Sequence, residues 1–162
     1  MNFETHFRID LLQPFKYRSN KVWNVFIQKE EPFKYFPVFK FNEDDEFPQS
    51  IKTNSSASDF VRVIWAYSLG LLNFGSNHPG IVMFDEPGQH SVSSDSLKVL
   101  FEKCSEQKEK QTIIFTSIQK VLMKDGDKEL DKLDLDQILS GLANHTDYIF
   151  IELMIRKKVF VF

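Results

Sequence analysis

Two adjacent carboxylates, Asp85 and Glu86, follow the apolar run Ile81-Val82-Met83-Phe84 and precede Pro87. A continuous apolar run of this kind reads as a central strand covered on both faces. In α/β sheets, residues just past the carboxyl end of such a strand face ligand. Neighbouring carboxylates there can divide two tasks. Asp85 can hold Mg²⁺, directly or through water. Glu86 can polarise an attacking water in a phosphoryl-transfer reaction, where positioning and charge neutralisation lower most of the barrier. An apolar strand ending in Asp-Glu is common, so the pair alone does not specify a reaction.

A second constellation lies upstream, in Ser55-Ser56-Ala57-Ser58-Asp59-Phe60-Val61-Arg62. Small residues at a helix start let backbone amides approach a phosphate, and the helix dipole favours its negative charge. The hydroxyl of Ser56 or Ser58 can cap the helix.

Other chemistry finds no support in the spacing. His6, His78, His90 and His145 have no ligand spacing with Cys104. Asp125-Gly126-Asp127-Lys128-Glu129 begins like a calcium loop but carries Leu130 where a glycine is obligatory. No Gly-x-Ser-x-Gly elbow occurs. A phosphate-cradling loop needs Gly-x-x-x-x-Gly-Lys-Ser/Thr, and none of the six glycines has that setting. Asn42-Glu43-Asp44-Asp45-Glu46 reads as a solvated acidic turn rather than a metal site.

The elements that must position these groups follow from periodicity. A helix is expected from Ser56 or Ser58 to Asn73, with Val61, Ile64, Trp65, Ser68, Leu71 and Leu72 on a broad buried face. Residues 75–80 form a loop. A helix capped by Ser93 or Ser94 should run to about Lys108, with Leu97, Leu100, Phe101 and Cys104 as its apolar stripe. Gln111 to Thr116 is a second buried strand. Asp134-Leu135-Asp136-Gln137 opens a further helix with Ile138, Leu139 and Leu142 inward. Tyr148 to Ile151 and Lys158 to Phe162 are closing strands. In residues 1–52, four prolines forbid a long helix, and Trp23 to Ile27 and Phe36 to Phe41 are short strands. Alternation of strand and helix implies a mixed, partly parallel α/β sheet flanked by helices.

Composition bounds the class. The 162 residues suffice for a buried core, and 42% apolar with 27% charged residues is ordinary for a globular chain. Seventeen phenylalanines point to an aromatic core or an apolar interface. A net charge of −3 gives no general electrostatic reason to bind nucleic acid, although Arg156, Lys157 and Lys158 cluster. The single cysteine permits no internal disulfide and reads as a buried small hydrophobe. There is neither a signal-peptide pattern nor a membrane-length apolar run, so a cytoplasmic protein with no membrane partner is expected.

The run from Ser55 to Leu69 resembles the signature segment of ABC-type ATPases and their chromosome-maintenance (SMC) and recombination-repair relatives. There a Leu-Ser-Gly-Gly-Gln/Glu pentad opens a helix and an Arg often follows three residues later. Ser55-Ser56-Ala57-Ser58-Asp59 occupies the pentad here, and Arg62, Ala66 and Leu69 match later positions. Both glycines are replaced, and Asp59 stands for Gln or Glu. The Asp85-Glu86-Pro87 strand, a loop, a helix and a strand ending in a switch residue continue the pattern. The resemblance covers residues 53 to 120. The distance between the motifs exceeds that of transporter ATPases and favours SMC-like, defence or repair enzymes.

That resemblance implies the carboxyl-terminal half of a P-loop NTPase head over 53–162, with residues 1–52 a Phe- and Pro-rich segment packed on it. It implies ATP and Mg²⁺ as cofactors in the complete protein. Asp85 would hold the metal and Glu86 would be the general base. Ser56, Ala57, Ser58 and Arg62 would face the γ-phosphate of ATP held by an opposing subunit. Ser117 takes the switch position, where a histidine is usual; it can hydrogen-bond a phosphate but brings no imidazolium charge, and His90 is a candidate helper. The implied partners are a P-loop lobe and coiled coil encoded before this segment, a second head in a homodimer, and DNA. The alternative is an ATPase-derived module that dimerises, or docks DNA or a protein, without hydrolysis. A further rival is an unrelated α/β domain in which Asp85 and Glu86 are structural.

Overall fold

The computed structural model describes residues 2–17, 21–30, 34–89, 92–107, 109–117, 139–140, 142, 149–153 and 157–161. The chain divides into two compact units, Met1–Pro79 and Gly80–Phe162. Both mix helix and strand, and the second contains a small parallel pairing, as the alternation of elements predicts.

The first unit begins with a helix the sequence reading did not anticipate. α1 (Phe3–His6) is capped by the Asn2 side chain, which accepts from the Thr5 amide at 2.8 Å, and it continues as a π-helical turn over Phe7–Leu12. It fits wholly before Pro14, so the proline that forbids a long helix sets its end. Phe7, Leu11 and Leu12 are buried, and Phe3 stacks on Phe7 with ring centres 6.3 Å apart. A short 3₁₀ turn, Val22–Asn24, leads into β1 (Val25–Glu30), which pairs antiparallel with β2 (Lys34–Phe39). The two-residue β3 (Gln49–Ser50) pairs antiparallel with β2 and runs into α2 (Ile51–Asn54).

The long helix of this unit is α3 (Ala57–Phe74). It packs against the helical segment at the amino terminus. Gly70 eases the approach, because a Cβ there would crowd the Phe3 ring at 3.1 Å. The buried stripe is Asp59, Val63, Trp65, Ala66, Leu69, Gly70 and Leu72. Ile64, expected inward, is 39% exposed. The partner elements select which face of a broadly apolar helix is covered, and periodicity alone leaves that rotation open.

The second unit is a four-stranded sheet in the order β4-β5-β7-β6, formed by β4 (Ile81–Asp85), β5 (Gln111–Ser117), β7 (Lys157–Val161) and β6 (Ile149–Leu153). β4 and β5 are parallel and are connected through α4 (Ser94–Ser105). The β5–β7 and β6–β7 pairs are antiparallel. One face buries Phe84, Thr112, Ile114 and Thr116, beside the buried Leu97, Leu100, Phe101 and Cys104 of α4.

β4 departs from the sequence expectation. Its only strand neighbour among the described residues is β5, so it is an edge strand and not a central one. Ile81 and Met83 are exposed, Met83 by 64%, on the face away from Phe84. An unbroken apolar run shows that both faces are apolar, not what covers them. The helix expected to open at Asp134 lies outside the described residues except for Leu139, Ser140 and the buried Leu142. Asp125 to Leu130 and Arg156 also lie outside them. No described helix is long and apolar enough to cross a membrane.

Candidate functional site

Asp85 is the last residue of β4 and is exposed. Its Cα partner on β5 is Phe115, and the next amide, Glu86 N–H, donates to the Phe115 carbonyl at 2.8 Å. The chain then turns sharply. Glu86 adopts φ +48°, in the left-handed region that non-glycine residues rarely occupy. The Glu86 carbonyl accepts from the Gln89 amide at 3.1 Å, which closes the turn, and Pro87 is buried within it. Strained backbone persists where the surroundings over-determine it, and it concentrates at functional turns. Here two backbone hydrogen bonds and a buried proline hold it. Asp85 thus ends a strand of a parallel pair and Glu86 follows it, at the carboxyl edge where α/β sheets present groups to ligand.

Ser117 ends β5 and pairs by backbone register with Lys157. Asp85 and Ser117 therefore close the carboxyl ends of the two parallel strands. His90 lies outside the described residues.

The start of α3 is built from side chains that serve one another. Ser56 is the N-cap; its Oγ accepts from the Asp59 amide at 3.1 Å, as its residue type predicts. The Ser56 hydroxyl in turn donates to Asp59 Oδ2 at 2.8 Å. Arg62 Nη1 donates to Asp59 Oδ1 at 2.9 Å and lies 3.5 Å from Ser58 Oγ. Both members of the ion pair are largely covered, with side chains 11% exposed for Arg62 and 9% for Asp59. Ser56 and Ala57 are exposed and Ser58 is half-buried, so the tip itself is open. One residue before the cap, Ser55 Oγ lies 3.1 Å from the hydroxyl of the buried Tyr17. This brace, across 38 positions of sequence, had no signal in residue spacing.

Four other groups bear on what the molecule can do. Among the described residues, no three metal-ligating side chains gather into a cluster. The acidic turn is a closed local structure in which Asp45 Oδ2 accepts from the Phe41 and Asn42 amides at 2.7 and 3.0 Å. Cys104 is fully buried, and burial pushes its thiol far above the ordinary range, opposed by the neighbouring Thr112 hydroxyl. Thr112 Oγ1 is enclosed and, among the described residues, has no partner with normal hydrogen-bond geometry, so that contact is a weak one. Burial also raises the Tyr67 phenol, with Tyr35 adding to the shift, and its hydroxyl donates to the Tyr35 carbonyl.

Comparisons with protein-family models, with curated proteins and with solved structures returned no match to this chain.

Proposed function

We propose that this chain is the carboxyl-terminal lobe of an SMC-like or ABC-type ATPase head, of P-loop NTPase fold, and that it supplies half of a nucleotide-hydrolysing site. The observation that carries the reading is the turn after β4. A carboxylate pair lies at the carboxyl end of a strand in a parallel pair, with Glu86 held at φ +48°. The signature resemblance of Ser55 to Leu69 and the exposed tip of α3 support it.

Carboxylate oxygens are the hard ligands that Mg²⁺ takes, usually one or two of them with waters and substrate phosphates. Asp85 and Glu86 offer carboxylate oxygens of that kind. Bound Mg²⁺ with ATP supplies the charge neutralisation and the electrophilic phosphorus. Asp85 holds the cation, and the Glu86 carboxylate takes a proton from water. The Ser56 hydroxyl and the Ala57 and Ser58 amides engage the γ-phosphate of nucleotide held by an opposing head, with Arg62 beside them. Ser117 occupies the switch position. The partners are a P-loop lobe with its coiled coil and a second head; the pathway is DNA repair or defence in the cytoplasm.

Glu86→Gln, made in the protein together with its P-loop lobe, tests this. ATP turnover is expected to fall about a hundredfold or more, while ATP-dependent dimers last longer. Unchanged turnover would remove Glu86 from the reaction.

One observation favours the alternative of a non-hydrolysing interaction module. The α3 tip has Ala57 and Ser58 in place of glycines, and its cap, carboxylate and arginine already satisfy one another. ATP-dependent dimers that form without any turnover in the unaltered protein would select it.

A further inference from the structure

Three aromatic side chains stand largely in water at one end of the first unit. Trp23 is 61% exposed, Phe41 55% and Phe47 84%. Backbone pairing gathers them. The Lys40 amide donates to the Asn24 carbonyl at 2.8 Å, and Asn24 Nδ2 donates to the Lys40 and Phe41 carbonyls at 2.8 and 2.9 Å. Phe41 is thereby set beside the Trp23–Asn24 segment. The pairing of Phe39 with Gln49, carried two residues further, sets Phe47 across the β2–β3 turn from Phe41. That turn is acidic. Asp45 closes it by accepting from two backbone amides, while Glu43, Asp44 and Glu46 are exposed. Among the described residues no ion pair engages these three carboxylates, and Lys40 donates to the Glu43 carbonyl instead.

The same end of the unit already stacks cations on rings. Arg8 lies over Phe26 and Trp23, 4.3 and 5.9 Å from the ring centres, while its guanidinium pairs with Glu4. Lys40 lies 5.4 Å from the Phe26 centre and Lys21 5.8 Å from that of Phe39. A ring face carries negative potential, so exposed rings beside unpaired carboxylates attract a cation and repel an anion. Nucleic-acid phosphates and anionic lipid headgroups are disfavoured by that charge. A two-fold contact with a second copy would bring the same acidic turn against itself.

We infer that the β2–β3 turn, with Trp23, Phe41 and Phe47, is a docking surface for a basic, arginine-bearing segment of a partner protein. The planar guanidinium stacks on a ring face and offers its N–H groups to a carboxylate at the same time, which a lysine ammonium does less well. Exposed aromatics of this kind anchor protein contacts, and charge complementarity selects the partner. None of these residues belongs to the proposed nucleotide site.

Titrating the isotope-labelled chain with tetra-arginine amide tests the inference. The Trp23 indole resonance and the amides of residues 41–47 are expected to shift, while the indole of the buried Trp65 stays in place. Phe47→Ala is expected to weaken half-saturation about threefold. Glu43→Gln, Asp44→Asn and Glu46→Gln made together are expected to weaken it about tenfold. Asp45 is kept, so the turn stays closed, and an unmoved Trp65 indole reports an intact fold in each variant. In the unaltered chain, added salt should weaken the binding by screening the exposed carboxylates. Salt-insensitive binding, an unmoved Trp23 indole, or equal binding by the parent and both folded variants overturns the inference. So do shifts at these resonances on changing the concentration of the chain alone, which assign the surface to a second copy. Shifts with dodecathymidylate or with phosphatidylserine vesicles in place of tetra-arginine overturn it too, in favour of nucleic acid or a membrane.

Discussion

Glu86 shows how much one residue can report. A glutamate at φ +48° costs about 1–3 kcal/mol relative to relaxed backbone. Glycine accepts that conformation without a Cβ penalty. Glu86→Gly is therefore expected to stabilise the fold by roughly 1 kcal/mol, read as a higher denaturation midpoint, even as it abolishes any turnover that needs the carboxylate. A midpoint that drops would mean that the side chain, and not the backbone, earns its place there structurally. Cys104 gives a second expectation. Its buried thiol should resist a thiol reagent in the folded chain and react at once in denaturant. Its folded pKa is raised, so its contribution to stability is complete below the ordinary value of 9.0 and is lost as pH climbs above it. There the unfolded chain sheds a proton that the folded chain keeps, at up to about 1.4 kcal/mol per pH unit. The stripe of Leu97, Leu100, Phe101 and Cys104 made that burial legible from spacing. The strain at Glu86 was not legible, because φ is fixed by the turn the surrounding strands impose.

Among the elements, α3 was the best read from sequence. Ser56 caps it and the helix ends at Phe74, one residue beyond the expected Asn73. Ser56→Ala should cost about 1 kcal/mol in denaturant unfolding, and Ser56→Gly only a few tenths. Equal stability of all three proteins would show that the Asp59 carboxylate alone secures the helix start. Tyr17→Phe removes the hydroxyl that meets Ser55 and keeps the ring. It is expected to cost about 1 kcal/mol and to speed hydrogen exchange at Ala57 and Ser58 more than at the centre of α3. α1 was missed for a physical reason. Its few residues make too little periodicity to read, and its stability comes from stacking Phe3 and Phe7 beside Gly70, a contact made by tertiary packing.

At the scale of the whole molecule, the sequence has a carboxylate pair after an apolar run but no phosphate-cradling loop, so the proposed function predicts only weak ATP binding to residues 1–162 in calorimetry. Tight binding would contradict the composite-site proposal, in which a separate lobe supplies most of the phosphate contacts. The carboxyl-terminal sheet also leaves Ile81, Met83, Ile149 and Ile151 exposed on a single face by strand register. Exposed apolar area of this kind binds hydrophobic dyes. Met83→Lys is expected to reduce dye binding and to change stability by less than about 0.5 kcal/mol. A large loss of stability would show that the side chain is covered in solution.

Sequence alone settled what local forces settle. It narrowed the caps to Ser56 or Ser58 and to Ser93 or Ser94, of which Ser56 and Ser93 serve, and it placed the strands around Ile81 and Gln111, the buried thiol and the carboxylate pair after an apolar run, because capping, periodicity and side-chain chemistry act over a few residues. Tertiary structure decided the rest: β4 at the edge of its sheet, the rotation of α3 that exposes Ile64, the left-handed turn at Glu86, and the commitment of Asp59 to both Ser56 and Arg62. These depend on which distant groups come together, and a pattern of residue types carries the preference to be buried or bonded without naming the partner.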